Sequence, residues 1–175
     1  MPTLYQTSLI LGGARSGKSR IAERLVEQSG LDKVYLATGQ AWDHEMATRI
    51  QTHRRRRGPD WTTIEEPLAI CERLGIEASR KRAILVDCLT LWLSNLLHHE
   101  RNIECEIQQL TATLREVEGT VVLVSNEVGL GIVPDNALAR EFRDHHGVLN
   151  QTVAEAADHV AFVAAGQALT LKPKA

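Results

Sequence analysis

The chain has 175 residues, 43% of them hydrophobic, and a formal net charge of −2, which predicts one domain over 1–175 that folds without disulfides or a structural metal. The near-neutral balance argues against a general polyanion binder, and three widely spaced cysteines argue against a zinc site or a disulfide framework. We expect a cytoplasmic protein, because the N-terminus lacks the pattern of a signal peptide and no apolar stretch approaches the ~18 residues of a membrane span.

Short apolar runs that alternate with longer amphipathic runs predict the elements in chain order. The first five apolar runs are continuous, which is typical of strands in a sheet covered on both faces. Strands are predicted over 7–11, 33–38, 83–87, 120–125, 159–164 and 168–172. Helices are predicted over 18–29, 43–57, 67–75, 89–99, 103–117 and 135–157, the last one broken near Gly147.

This succession of strand and helix predicts the fold class. It is typical of an α/β protein whose mostly parallel sheet is flanked by helices. The turn "AAGQ" before the last apolar run predicts a terminal hairpin, which makes 168–172 an antiparallel edge strand.

A phosphate-binding loop is predicted between the first strand and the first helix. Gly12, Gly17, Lys18 and Ser19 complete the G-x-x-x-x-G-K-[ST] pattern in that context. Its backbone N–H groups would hold phosphate oxygens, with Lys18 at the β/γ-phosphates and Ser19 on Mg²⁺. The alternative is a chance glycine-rich turn, and Arg15 is either a phosphate contact or simply exposed. The predicted loop comprises Gly12, Gly13, Ala14, Arg15, Ser16, Gly17, Lys18 and Ser19.

An acidic residue ends the third predicted strand. Asp87 in "AILVDCLTLW" would reach the same edge of the sheet as the loop. There it would orient Mg²⁺ together with Ser19. The alternative is that Asp87 caps the helix that follows.

A histidine followed by four arginines ends the predicted helix 43–57. The run could bind nucleic acid, complement the negative end of a helix dipole, or contact phosphate. His53 shares a helix face with Met46 and Ile50, so it is either a buried core histidine or a nucleophile. Arginines nearby would keep its imidazole uncharged and would stabilise charge on a phosphoryl group under attack.

Taken together, the motifs resemble those of the bifunctional adenosylcobinamide kinase and adenosylcobinamide-phosphate guanylyltransferase family of cobalamin biosynthesis. The matching segments run through nearly the whole chain in family order. They are "GGARSGKS", "YLATGQ", "EMATRIQTHRRRR", "WTTIEEP", "LVDCLTLW", "SNEVGLGIVPDN", "AREFRDHHGVLNQTVAEAAD" and "VAAG". The loop is generic, but R-I-x-x-H-R together with N-E-V-G-x-G-I-V-P is specific.

The resemblance implies two reactions. In the first, ATP or GTP phosphorylates the aminopropanol hydroxyl of adenosylcobinamide. In the second, the histidine matching His53 takes GMP from GTP and passes it to the substrate phosphate, giving adenosylcobinamide-GDP. The resemblance further implies a RecA-like fold, a homotrimer and catalytic roles for His53 and Lys18. Besides the loop, it implies nucleotide contacts at Ala37, Thr38, Gly39, Arg54, Arg55, Arg56, Arg57, Glu65 and Asp87.

Other residues keep open interpretations. Glu127 could act as a base, bind Mg²⁺ or order its own loop. Asp135 or Asn136 should cap a helix, and Asn150 and Gln151 either face the nucleotide or pack within a helix. The three tryptophans are expected in the core or an interface.

Two other functions remain open from the residues alone. One is a simpler small-molecule kinase in which His53 is structural. The other is a nucleic-acid binder that uses the arginine run. The acidic overall balance and the lack of interleaved aromatic residues argue against nucleic acid.

Overall fold

The computed structural model describes residues 5–40 and 58–172. Within these ranges the chain forms one seven-stranded sheet in the order β3-β2-β4-β5-β1-β6-β7. The strands are β1 (Thr7–Gly12), β2 (Asp32–Ala37), β3 (Trp61–Glu65), β4 (Arg82–Asp87), β5 (Thr120–Asn126), β6 (His159–Ala164) and β7 (Gln167–Lys172). The helices are α1 (Lys18–Gln28), α2 (Ile70–Glu77), α3 (Leu89–His98), α4 (Ile103–Glu116) and α5 (Ala137–Ala156).

The predicted α/β class is confirmed. All strand pairs are parallel except β6 with β7, which is antiparallel. The sheet is therefore mostly parallel, with the predicted antiparallel strand at its C-terminal edge. None of the helices in the described ranges is both long and apolar enough to cross a bilayer.

Helices cover both faces of the sheet, as the continuously apolar strands predicted. Helix α1 packs on one face, over a cluster that includes Ile10, Leu85 and Val124. Helices α2 to α5 pack on the other face, over a larger cluster that includes Leu9 and Val86. Successive strand residues point to opposite faces, so Asp87 lies on the same side as Leu85 and α1.

Two predictions about elements were wrong. No strand was predicted over 61–65, yet β3 pairs there with β2. Only one of its residues is fully buried, so it lacks the continuous apolar run that marked the other strands. Helix α5 is not broken near Gly147 but continuous over 20 residues, because a stripe of buried side chains on either side holds it in place. The predicted helix 43–57 lies outside the described residues.

Candidate nucleotide-binding site

The predicted phosphate loop lies between the end of β1 and the start of α1. Position 12 has no room for a side chain, since an added Cβ would lie 2.5 Å from Val163 O and 2.6 Å from Ser16 Oγ, so only glycine fits there. Gly17 is required by its backbone, which has φ of 99°. The chain turns from strand into helix within a few residues, which leaves the N-terminus of α1 facing the loop.

Neighbouring groups hold the loop in this shape. Gly166 N donates to Ser16 O at 2.8 Å, which ties the loop to the turn between β6 and β7. Lys18 is buried, and its Nζ donates to Gly13 O at 3.1 Å, across the loop. Ser16 Oγ is buried without a hydrogen-bond partner in the part of the chain that the structure describes. Such an atom is normally satisfied by a ligand or a water molecule.

Asp87 ends β4, two strands from β1 in the sheet. Its Oδ2 accepts a hydrogen bond from Tyr35 Oη at 3.0 Å. The N-cap of α3 is Cys88 and not Asp87, so the structure does not support the helix-capping interpretation. The carboxylate therefore sits on the α1 side of the sheet, with one oxygen fixed by a neighbouring strand.

The end of β2 is fastened to the end of β4 through Thr38. Its N–H donates to Asp87 O at 3.2 Å, and its hydroxyl bonds both the N–H and the carbonyl of Cys88. Asn95 Nδ2 donates to Thr38 O at 2.7 Å and to Pro67 O at 3.0 Å. Thr38 is entirely buried, so its side chain holds the two strand ends together. The neighbouring Ala37 is paired in register with Asp87.

Glu65 lies on the other side of β2, paired in register with Ala37. Four strand spacings separate its strand from β1, or about 19 Å. The structure thus brings Ala37, Asp87 and Glu65 to one level of the sheet, and places the phosphate loop at the far end of the same edge. His53 and the arginines Arg54, Arg55, Arg56 and Arg57 lie outside the described residues.

Cysteine chemistry is excluded beside Asp87. Burial, together with the negative charge of Asp87, raises the pKa of the Cys88 thiol to about 11. The positive charge of Lys18 lowers this pKa, but its effect is weaker than that of burial. The thiol is therefore protonated at neutral pH and is not a nucleophile.

A buried polar network under the end of β5 was not predicted. His146 Nε2 lies 3.0 Å from Thr90 Oγ1, and His146 Nδ1 lies 3.2 Å from Asn150 Nδ2. Ser125 Oγ donates to Asn150 Oδ1 at 2.7 Å, and Asn150 Nδ2 donates to Asn126 O at 3.1 Å. The sequence signal for this network was the pair His146 and Asn150, two polar residues four positions apart on the otherwise apolar face of α5.

The residues with open interpretations are now placed. Asn136 caps α5, because its side chain accepts from Ala139 N at 2.7 Å. Gln151 is exposed and bonds the carbonyl of Gly147. Trp61 and Trp92 are buried, as predicted for core residues, whereas Trp42 lies outside the described residues.

Comparison with known proteins agrees with this geometry. The family model described as cobinamide kinase / cobinamide phosphate guanyltransferase matches residues 8–171. The chain belongs to this family. As a member of the cobinamide kinase and guanylyltransferase family, it has both activities in adenosylcobalamin biosynthesis.

Three curated relatives support the assignment to the cobinamide kinase and guanylyltransferase family. The bifunctional adenosylcobalamin biosynthesis protein CobP of Pseudomonas aeruginosa is 51% identical over 166 residues, which cover 94% of this chain and 96% of the relative. The corresponding CobU proteins of Escherichia coli and Salmonella typhimurium are 40% and 42% identical, each over 94% of this chain and 98% of the relative.

Solved structures support the fold of this family member. An ATPase from the type III secretion system of pathogenic bacteria superposes with a TM-score of 0.57 at 12% identity, over 94% of this chain and 56% of that chain. The flagellar accessory protein FlaH of Methanocaldococcus jannaschii gives a TM-score of 0.54 at 13% identity, over 97% and 79%. The predicted RecA-like architecture is thereby confirmed.

Proposed function

We propose that the chain phosphorylates the aminopropanol hydroxyl of adenosylcobinamide with ATP or GTP. It then takes GMP from GTP onto His53 and transfers that GMP to the new phosphate, giving adenosylcobinamide-GDP. The observation that carries the proposal is the complete phosphate loop, with buried Lys18 across it and Ser16 Oγ left without a partner among the residues that the structure describes. A triphosphate supplies the acceptors that such a loop requires.

The nucleotide would span the carboxyl edge of the sheet. Backbone N–H groups of the loop and Lys18 would hold its phosphates. Arg15, exposed within the loop, is a candidate phosphate contact. The remaining proposed contacts are Ala37, Thr38, Gly39, Arg54, Arg55, Arg56, Arg57, Glu65 and Asp87.

Mg²⁺ fits the donor set at this edge. Ser19 and Asp87 offer a hydroxyl and a carboxylate, which are the hard oxygen ligands that Mg²⁺ prefers. Within 5–40 and 58–172 there is no cluster of three or more metal-binding side chains. A site of few protein ligands suits Mg²⁺, because nucleotide phosphates and water complete its shell. The ion would neutralise phosphate charge as phosphorus is attacked.

Covalent catalysis explains why a histidine is needed for the second reaction. An imidazole nitrogen of His53 attacks the α-phosphorus of GTP, and the bond to pyrophosphate breaks. The substrate phosphate then attacks the same phosphorus and displaces the imidazole. One difficult displacement is thereby divided into two easier ones.

Assembly and location complete the proposal. The substrates are a corrinoid and nucleotides, without a nucleic-acid partner. We propose that the chain forms a homotrimer and acts in the cytoplasm. Light scattering on the purified chain tests this assembly, since a mass other than about three times 19.4 kDa would contradict it.

Covalent labelling tests the guanylyl-histidine. The protein is incubated with GTP labelled at the α-phosphate and with Mg²⁺, and is then denatured. We expect label that acid removes and alkali does not, the behaviour of a phosphoramidate. The variant His53→Ala should carry no label, whereas His145→Ala, which removes an exposed histidine, should be labelled like the original chain.

Two results would contradict this proposal. Label that persists in His53→Ala would place the nucleophile elsewhere. Phosphorylation of adenosylcobinamide without any label from α-labelled GTP, in the original chain, would favour a simple kinase in which His53 is structural.

A further inference from the structure

Glu127 follows β5 directly and is bonded to the phosphate loop. Asn126 is paired in register with Gly12, and Glu127 N donates to Gly12 O at 3.1 Å. Glu127 therefore lies one residue past the level of Gly12, the first glycine of the loop, on the neighbouring strand. Asp87 pairs instead with Val124, two residues lower on β5.

The two oxygens of the Glu127 carboxylate differ in their contacts with the described part of the chain. Oε1 accepts a hydrogen bond from Gly129 N. Oε2 has no hydrogen-bond partner among residues 5–40 and 58–172. The side chain is only partly buried, so this oxygen is accessible to a ligand. Asp87 also has one oxygen bonded, by Tyr35 Oη, but it lies at the level of Val124 and not of the loop, and Glu65 lies about four strand spacings from the loop.

The buried network described above holds the strand end that carries Glu127. Thr90 Oγ1 accepts from Asn126 N at 2.9 Å and is itself bonded by His146. Asn150 fixes the carbonyl of Asn126 from the other side. Both backbone groups of the residue before Glu127 are thus held by side chains, of which Asn150 is buried and Thr90 is half-buried. A carboxylate that only ordered its own loop would not need this support.

The two reactions differ in the proton that must be removed. A substrate hydroxyl must lose its proton as it attacks the γ-phosphorus, and kinases place a carboxylate there to accept it. A phosphate monoester is already anionic at neutral pH and attacks without a base. A carboxylate at the loop, with one oxygen that no described residue bonds, therefore serves the first reaction and not the second.

We propose that Glu127 is the general base of the phosphorylation reaction. The substrate hydroxyl donates its proton to Oε2 while its oxygen bonds to the γ-phosphorus. The bond from that phosphorus to the β,γ-bridging oxygen breaks, and the nucleoside diphosphate leaves with the electron pair. His146, Asn150 and Thr90 are positioning residues that act through the backbone of Asn126.

Measuring both activities separately in Glu127→Gln tests this role. Glutamine keeps an oxygen for Gly129 N, so the loop contact survives while the base is lost. We expect kcat for phosphorylation to fall about 10²-fold or more. Guanylyl transfer to supplied adenosylcobinamide phosphate should change by less than about threefold. Glu118→Gln, an exposed carboxylate paired with Arg80, is the matched control.

A double-mutant cycle tests whether the network acts through Glu127. Thr90→Val removes the hydroxyl that joins Asn126 to His146 and keeps the shape of the side chain. We expect about a tenfold loss of phosphorylation alone, and no further loss when it is added to Glu127→Gln. Val153→Ala, on α5 with His146 and Asn150 but outside the network, should leave the ratio of the two activities unchanged.

Three outcomes would overturn the proposal. The first is a kcat for phosphorylation in Glu127→Gln within about threefold of the original chain. The second is an equal fall of both activities, which would indicate damage to the shared phosphate loop. The third is full additivity of Thr90→Val with Glu127→Gln, which would make the network purely structural.

Discussion

An acidic residue lies at the carboxyl end of each of the adjacent strands β4 and β5, and the two residues are held in place differently. Asp87, the last residue of β4, is held by a side chain on the neighbouring strand, because Tyr35 donates to its Oδ2. Glu127, just after β5, follows a strand end held through its backbone, because Thr90 and Asn150 fix the two polar groups of Asn126, and its Oε1 is bonded by Gly129 N of its own loop.

The two carboxylates are thus positioned by different parts of the fold. A hydrogen bond from a neighbouring strand ties the Asp87 carboxylate to the sheet, as a metal-orienting residue requires. The Glu127 carboxylate is bonded by its own loop, so it can meet a substrate that arrives from outside the sheet. We therefore expect changes at the β4 end to affect both reactions and changes at the β5 end to affect one.

The largest effect is expected for Asp87→Asn, which removes the charge and keeps the shape. Both activities should fall about 10³-fold, because both reactions use the same nucleotide phosphates. The Mg²⁺ dependence of nucleotide binding, followed by calorimetry, should also weaken. If nucleotide binding kept its Mg²⁺ dependence, or if one activity alone fell, the proposed role of Asp87 would be wrong.

A smaller effect is expected for Tyr35→Phe, which removes the hydrogen bond to Asp87 and leaves the ring. Both activities should fall about tenfold, equivalent to about 1.4 kcal/mol for one hydrogen bond to a charged group. Tyr5→Phe is the matched control, because that ring stacks on His159 away from the site. Equal activities in Tyr35→Phe and the control would show that the carboxylate needs no partner.

The smallest effect is expected in the pH dependence of folding stability, through His146, which supports the end of β5. Burial lowers the pKa of His146 below its ordinary 6.5, with Glu127 acting weakly in the opposite direction. The imidazole of His146 therefore binds a proton more tightly in the unfolded chain than in the folded chain. Stability from the neutral imidazole is complete above that value and declines as the pH falls below it.

Urea unfolding at about pH 7.5 and about pH 5.5 measures this contribution. The original chain should lose more stability on acidification than His146→Gln does, by at most about 1.4 kcal/mol per pH unit for this one group. Burial also lowers the pKa of His159, but this residue is present in both chains and cancels. An identical loss in the two chains would show that His146 takes up a proton in the folded state.

Local patterns sufficed for much of the fold and part of the site. Continuous apolar runs predicted five strands, the turn after β6 predicted β7, and the glycine spacing predicted the phosphate loop where it lies. These features depend on neighbouring residues along the chain, such as the turn that Gly17 permits. The edge strand β3 and the continuity of α5 were not predicted, because tertiary packing outweighs the local sequence signals of these two elements.

The sequence by itself determined the loop from Gly12 to Ser19 and the acid at Asp87, because each depends on a short local pattern. Only the tertiary structure decided that Tyr35 holds Asp87, that Thr38 and Asn95 join two strand ends, and that His146 supports the strand before Glu127. These partners are 21 to 57 residues apart along the chain. Such contacts form when separate strands and helices pack around one sheet, and no local pattern encodes them.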